Sequence, residues 1–468
     1  NAEDNNQNGK RHFIIINSSI FYLLSVSFNF LSYLSTQKTA QTTRYEGRVV
    51  DISNTWAYLN GRRVCKIFRM ANMSEIVVGT IDKYRDKLNS VSQEIWKNPE
   101  LYYREVKAHD YLSQALEDEG FQVQRNYHLD TAFRAEYSVG SGGPVICIIC
   151  EYDALPVVGH ACGHNLIAEA GFAAGVAVKE ALRSDPKLKG KIVVLGTPAE
   201  ESGGGKIDLI NAGAFADIDV AMMVHPSRSN ELAPLFIGVG HISVTYHGKP
   251  AHSSGAPWDG INALDAAVMC YNGLSYLRQH IKPNCFVGAI FTDGGAAVNI
   301  IPERSAMDIL YRAPTVGMMT ELRKKVMSCV SAGAEATGCT VEETRSFSFK
   351  PVVTNSVLAR LYKKHAESFG VKFDDGNHEA NLFVASSDMG DVCHTVPSIH
   401  PIFRIDTAGP NHTKEFTDAA GHPSAQPPTL TAAKAMALAC VDILLSPDVL
   451  IPEAKATFAV DMKRSYCS

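Results

Sequence analysis

His160-Ala161-Cys162-Gly163-His164-Asn165 decides how this chain is read. Cysteine and histidine are both transition-metal ligands, and here they stand one residue apart. Before them lies a short apolar strand, Pro144-Val-Ile-Cys-Ile-Ile-Cys150, and after them a small-residue helix is expected from Leu166 to Leu182. Cys162 and His164 therefore fall in a tight turn at the carboxyl end of a strand, where open α/β sheets place their ligands. Gly163 lets the turn close, and the following helix N-terminus favours the thiolate form of Cys162. By itself a Cys-x-His pair is weak evidence, a buried thiol beside a capping histidine being the commoner case. The odds change because the next two strands end in the same way.

Outward from this turn, strands and helices alternate. The strand Val145 to Cys150 runs into Glu151-Tyr152-Asp153, and the strand Lys191 to Leu195 into Thr197-Pro-Ala-Glu-Glu201. A helix Lys206 to Ala212 ends at Gly213, and the strand Asp219 to Val224 ends at His225. This βαβα order predicts an α/β fold with a mainly parallel sheet and helices on both faces. Asp153, Cys162, His164, Glu200, Glu201 and His225 then meet at one edge of one sheet. Thiolate, imidazole and carboxylate together suit zinc or a similar ion. Three protein ligands hold one catalytic zinc, so a larger set implies a pair of metals. Neighbouring Glu200 and Glu201 cannot point the same way from extended backbone. One can bind metal while the other faces the activated water as general base.

Upstream, Ile81, Tyr84, Leu88, Val91 and Ile95 recur at the spacing of one helix face. Asn98-Pro99-Glu100 breaks the pattern, Tyr103 to Glu119 resumes it, and Gly120 is a good C-cap before a strand Phe121 to Arg125. Downstream the rhythm changes near Phe236. Strand Phe236 to Tyr246, helix Asp259 to Gln279, strands Cys285 to Thr292 and Ser305 to Arg312, helix Val316 to Thr337 and strand Cys339 to Thr344 give βαββαβ, the ferredoxin-like order. After Pro351 the first rhythm returns and ends in a helix Thr429 to Leu445. The expected organisation is a catalytic domain in two segments, 73–236 and 350–455, an inserted lid and dimerisation domain at 237–349, and a tail at 456–468. Residues 1–72 read differently. Lys10 and Arg11 precede an apolar run, Ile20 to Leu34, the form of a secretory signal or anchor. The run is short and serine-rich for a membrane span. The expectation is an extension outside the fold, with globular patterning starting at Met73.

Composition narrows the classes. Apolar residues make up 46 % of the chain, as in globular proteins. The net charge is −5, with no basic stripe, which argues against nucleic acid as the main partner. The eleven cysteines are scattered, and Cys147 and Cys150 sit inside an apolar strand. That pattern predicts reduced thiols in a reducing, cytoplasmic compartment, without stable membrane association.

Eight stretches together carry a family likeness: Glu151-Tyr-Asp-Ala-Leu-Pro156, His160 to Asn165, Gly196-Thr-Pro-Ala-Glu-Glu201, Gly203 to Ile210, Trp258 to Ala267, Asn299-Ile-Ile-Pro302, Ser387-Asp-Met-Gly390 and Asn411-His-Thr413. From about Ser74 to Leu450 the chain resembles the aminoacylase/carboxypeptidase-type zinc metallopeptidases, in their amidohydrolase branch. The resemblance implies metal ligands at Cys162, His164, Glu201, His225 and His412, with two divalent ions, zinc foremost and manganese as the alternative. It implies Glu200 as general base, Asp153 as the carboxylate that orients a ligand, and His252, Asn299 and Arg312 as substrate contacts. Arg312 suits a substrate carboxylate, which its planar fork meets bidentately. The implied reaction is hydrolysis of dipeptides with a basic C-terminal residue, of the β-alanyl-lysine, Xaa-ornithine or Xaa-arginine type. The implied assembly is a homodimer in which His252 completes the partner's site. The alternatives are an amidohydrolase of N-acyl amino acids or aminobenzoyl-glutamate, and a catalytically silent member that binds a small molecule or partner. Asn165 stands where many relatives carry aspartate, and Ser387 where threonine is common. His160, His241 and His247 are expected to be structural or solvent-facing. His400 and His422 rival His412 as the last ligand, and Asp259, Glu303 and Asp388 are unranked partners for a substrate ammonium.

Overall fold

Val145–Glu151 is apolar on both faces, as a strand must be when helices cover a sheet from both sides. Its side chains sort by alternation: Ile146, Ile148 and Cys150 enter one core, Cys147 and Ile149 the other. Around this strand the rest of the catalytic domain is arranged.

The computed structural model describes residues 42–45, 48–51, 69–374 and 385–467. The chain divides into two compact units, Asn1–Ala71 and Asn72–Ser468. In the first, β1 (Thr42–Tyr45) and β2 (Arg48–Asp51) pair antiparallel. The apolar run expected at Ile20 to Leu34 lies outside the described residues. In the second unit, residues 72–83 are helical, followed by the helices Arg85–Lys97 and Val106–Asp118. Then come β3 (Gln122–Arg125), β4 (Phe133–Val139), β5 (Val145–Glu151), the helix His164–Ser184, β6 (Gly190–Thr197), the helix Gly205–Asn211, β7 (Val220–Met222) and β8 (His225–Ser227).

The inserted segment holds β9 (Gly238–His247), the helix Ala263–Leu277, β10 (Phe286–Asp293), β11 (Arg304–Ala313), the helix Val316–Thr337 and β12 (Thr340–Phe349). The helices Ser356–Ser368 and Met389–Cys393 follow, then β13 (Ser398–Ile399), β14 (Ile402–Arg404) and the helices Lys414–Gly421, Gln426–Leu445 and Pro447–Tyr466.

The main sheet has the order β13-β7-β5-β6-β4-β3. β13, β7, β5 and β6 run parallel, while β4 and β3 are antiparallel additions at one edge. The helix His164–Ser184 is buried over nearly its whole length and shares a core with Leu88, Val91, Leu430 and Met436. Pro423–Leu445 is long and apolar enough to cross a membrane by composition, yet it is largely buried in this core. The inserted segment has its own antiparallel sheet, β10-β11-β9-β12, and its own core of Ile242, Val244, Tyr246, Cys270, Leu274, Val326 and Val330. Its helices are capped as their sequences prescribe: Asn262 accepts from Leu264 and Asp265, and Thr315 from Met318. The fold is the expected α/β sheet with a ferredoxin-like insert.

Three details depart from the sequence reading. β4 has no counterpart there, because Arg134 and Glu136 interrupt its apolar pattern. Arg134 is buried nonetheless, held by Glu136 at 2.6 Å and Asp217 at 2.7 Å. The strand expected to run to Val224 stops at Met222. His225 opens a separate strand, β8, which pairs in parallel with β14. Last, Pro447–Tyr466 is a single helix that runs across position 455.

Candidate metal centre

The turn after β5 is tighter than a side chain would allow at its middle residue. Gly163 has φ +80°, and a Cβ there would lie 2.6 Å from the Pro226 ring. His164 is already the first residue of its helix. Asn411 ties the distant His412 loop to this turn: its amide donates to the carbonyls of Cys162 (3.4 Å) and Pro226 (3.2 Å) and accepts from Ser227 Oγ (2.9 Å). His412 itself has φ +70°, a strained conformation for a non-glycine residue, and its N–H donates to Ala161 at 2.8 Å. Strain held in place by tertiary contacts is a feature of functional sites.

These constraints gather the expected ligand atoms. Cys162 Sγ lies 3.4 Å from His225 Nε2. Glu201 offers a different oxygen to each of two imidazoles, Oε1 3.8 Å from His164 Nε2 and Oε2 3.6 Å from His412 Nε2. Ligand atoms of Cys162, His164 and His225 lie within 4.8 Å of one another, as do those of Cys162, Glu201 and His412 and those of His164, Glu200 and Glu201. The far sides of the rings are spoken for. His164 Nδ1 bonds Asp153 Oδ1 at 3.0 Å, and His225 Nδ1 donates to the Pro226 carbonyl at 2.8 Å. For His225 this leaves the Nε2 lone pair toward the cluster. Against the opposing effect of burial, Asp153 and Cys162 hold the His164 imidazole well above its ordinary pKa, so that a cation would have to displace its Nε2 proton. Such outer partners are the usual support of a metal-bound histidine.

The cluster fits a cation by its unmet needs. His164 Nε2, Glu151 Oε2 and Glu201 Oε1 are buried without a hydrogen-bond partner. Burial, then Glu151, Glu201 and Asp388, push the Glu200 carboxyl well above the usual range. Burial likewise pushes Glu201 up to about 7. It also drives the His225 imidazole down to about 4, so His225 is a neutral donor at physiological pH. Burial and then Glu201 raise the Cys162 thiol, so the thiolate expected from the helix N-terminus needs a positive ion beside it. Repelling carboxylates, a neutral imidazole and a thiol that only a cation would ionise are together a donor set suited to a divalent metal.

A further acidic group, Glu151, Glu200 and Asp388, is drawn as closely together. Here a lysine supplies the positive charge. Lys206 is fully buried; its ammonium bonds Glu151 and, at 2.7 Å, Asp388, while its own N–H reaches Asp388 Oδ2 at 3.0 Å. Asp388 is therefore already neutralised and does not face a substrate ammonium. Lys206 and Glu151 both lie in stretches that carry the family likeness, yet neither was assigned a role: the lysine reads as a helix start and the glutamate as a strand end. A lysine directly after the glycine run Gly203-Gly204-Gly205 was the available signal.

The other sequence candidates separate. His252 and Asn299 are neighbours on the inserted segment, joined by Ser253 N–H to the Asn299 carbonyl at 3.1 Å, and both are exposed. Arg312, at the end of β11, donates to Ser386 Oγ at 2.5 Å. Among the described residues, none of these three bonds the Cys162 to His412 cluster. Of the rival histidines, His422 is exposed and bonds Ser424. His400 is buried and stacked on Phe236, its ring centre 5.5 Å from that of His225, but it joins none of the ligand groups. His160 is buried behind the turn, His241 stacks on Phe347, and His247 faces Glu342 on the surface.

Comparison with known proteins agrees with this architecture. Residues 147–424 match the model of Peptidase family M20/M25/M40. The chain is 43 % identical to the Xaa-Arg dipeptidase of Mus musculus over 79 % of this chain and 88 % of that protein. It is 42 % identical to the Homo sapiens protein of the same name, over 84 % and 92 %. In fold it is similar to a dinuclear metal binding peptidase of the M20 family from Bacillus subtilis, with a TM-score of 0.57 and 19 % identity, covering 78 % of this chain and 99 % of that one. A fold, a donor cluster and an extended sequence match thus converge: the chain belongs to peptidase family M20/M25/M40 and is a hydrolase.

Proposed function

We propose that this protein is a metal-dependent dipeptidase acting on dipeptides with a basic C-terminal residue. The observation that carries the metal chemistry is Glu201, whose two oxygens each face a different imidazole, His164 and His412, so that it could serve as a ligand beside either. Cys162, His164, Glu201, His225 and His412 would hold the pair. Zinc suits this thiolate, imidazole and carboxylate set, and manganese is the alternative. When bound, the ions supply Lewis acidity at the amide carbonyl and make a water acidic enough to react near neutrality.

The chain's own residues do the remaining work. Glu200 takes the water's proton and returns it to the leaving amine. Asp153 fixes His164 through Nδ1 and Glu201 through its backbone N–H, at 2.9 Å. Arg312 and Asn299 bind the substrate carboxylate once the lid closes about the Phe236–Ala385 bridge. The protein acts in the cytoplasm as a homodimer, its exposed β10 edge with Phe286, Ile290 and Phe291 paired across the two-fold, and His252 reaches the partner's site. The mouse and human relatives supply the preference for a basic residue.

The test is a substrate panel on metal-loaded protein. β-Alanyl-lysine and Xaa-arginine dipeptides should be cleaved with higher kcat/KM than N-acetylated amino acids or aminobenzoyl-glutamate. The reverse order overturns the substrate assignment.

A further inference from the structure

Tyr103 and Ala199 are far apart in sequence, yet both hold non-glycine backbone in the left-handed region, at φ +59° and +60°. Such conformations are strained and persist only where the surroundings enforce them. One oxygen enforces both. Glu105 Oε1 accepts the N–H of Tyr103 at 2.9 Å and the N–H of Ala199 at 3.0 Å. Its other oxygen accepts from Thr131 Oγ1 at 2.8 Å, and the side chain is fully buried. Ala199 immediately precedes Glu200 and Glu201. The Tyr103 end packs on the same loop from outside: a Cβ on Gly203 would lie 2.5 Å from the Tyr103 ring, and the Tyr103 hydroxyl donates to Asp208 at 2.6 Å.

We infer that Glu105 is a positioning residue: it clasps the strained peptide before Glu200 and so sets the direction in which the neighbouring Glu200 and Glu201 side chains leave the backbone. Extended backbone points two adjacent side chains to opposite faces. A left-handed residue just ahead of the pair turns the chain, so that both carboxylates converge on His164, with Glu201 also reaching His412 and Glu200 also lying beside Glu151 and Asp388. Without the acceptor, Ala199 relaxes toward a common conformation, and both carboxylates swing with it. A 1 Å displacement of a catalytic group can cost roughly 10²-fold in rate.

The inference rests on Glu200 being the general base. The experiment measures kcat, KM and bound metal for Glu105→Ala, Glu105→Gln, Thr131→Val and, as a control on the reading itself, Glu200→Gln. Glu105→Ala should lower kcat about 10²-fold at saturating zinc, with KM within about threefold, and should lose metal faster on dialysis against a chelator. Glu105→Gln keeps an acceptor oxygen for both N–H groups, so it should stay within about threefold of the parent in every readout. Thr131→Val, which frees only the second oxygen, should fall about three- to tenfold in kcat; it carries the test if Glu105→Ala does not fold. Wild-type kcat and metal retention in folded Glu105→Ala, or in Thr131→Val where Glu105→Ala is unfolded, overturns the clasp, as does a Glu105→Gln variant as damaged as Glu105→Ala. Full turnover in Glu200→Gln removes the base assignment instead, and so is distinct from failure of the clasp.

Discussion

Replacing Lys206 with methionine removes one ammonium and little volume. Its consequence follows from the charges left behind. Lys206, Glu151 and Asp388 have side chains 0–1 % exposed. At the 2.7 Å separation from Asp388, the direct attraction is about 6 kcal/mol with an effective dielectric of about 20. Breaking a buried pair on one side typically costs about 3–5 kcal/mol. The cost has a ceiling, because an abandoned carboxylate can take a proton. Burial already raises Asp388 to about 6 despite Lys206, and without the ammonium it rises further. A carboxyl with a higher pKa folded than unfolded destabilises fully above its folded pKa, and the penalty fades as pH falls toward the unfolded value near 3.9. For one carboxylate that ceiling is about 6 kcal/mol at pH 8 and about 1.5 kcal/mol at pH 5. Lys206→Met should therefore lower stability by about 3–5 kcal/mol at pH 8, roughly 10²–10⁴-fold in the folding equilibrium, and by less than half of that at pH 5. Adding Asp388→Asn should recover part of the loss. Urea unfolding at fixed metal concentration, since bound metal adds its own stability, measures all three. A loss below about 1 kcal/mol at pH 8, or a loss that grows as pH falls, refutes the reasoning.

Other outcomes follow from the proposed chemistry. Chelation should abolish hydrolysis, with Zn²⁺ or Mn²⁺ restoring it; full activity in metal-free protein would contradict the metal role. Glu200→Gln should lower kcat by about 10²–10⁴ with metal content intact, whereas Glu201→Gln should lower metal content, and equal metal loss in both would break the division of roles. Mixing inactive His252→Ala and Glu200→Gln subunits should restore part of the activity through mixed dimers. No recovery, with subunit exchange verified, would confine His252 to its own subunit. A chain starting at Met73 should retain activity and melting temperature; failure to fold would show that the first unit supports the second.

The sequence exposed those parts of the fold where one periodicity dominates. Val145–Glu151 is apolar at every interior position, and Val316–Thr337 carries its cap residue Thr315 and its terminating Gly338, so both could be placed closely. β4 was hidden because its arginine is buried through ion pairs, a long-range contact that local patterning does not register. The expected metal ligands were legible because each sits at a strand end or in a turn, positions set by local chemistry. His412 is the exception. Its loop is placed by Asn411 bonding two carbonyls far away in sequence, and only the family likeness singled it out from His400 and His422. Glu105 and Lys206 were missed for a related reason: each acts through partners on other elements.

Glu200 and Glu201 have the same chemistry and adjoin in sequence, so their roles must come from surroundings. Glu201 is pinned at its own N–H by Asp153 and faces imidazoles with both oxygens. Those neighbours can share a carboxylate's charge with a cation. Glu200 lies with His164 and Glu201 on one side and with Glu151 and Asp388 on the other, the last two sharing the single ammonium of Lys206. That ammonium offsets part of the negative charge beside Glu200, whose carboxyl is still pushed up by burial, Glu151 and Asp388. For the proposed general base this placement puts Glu200 next to the candidate ligands His164 and Glu201. The differing neighbours of two consecutive residues follow from one bend at Ala199, and two buried acids, Glu105 and Asp153, each hold a backbone N–H of the same short segment.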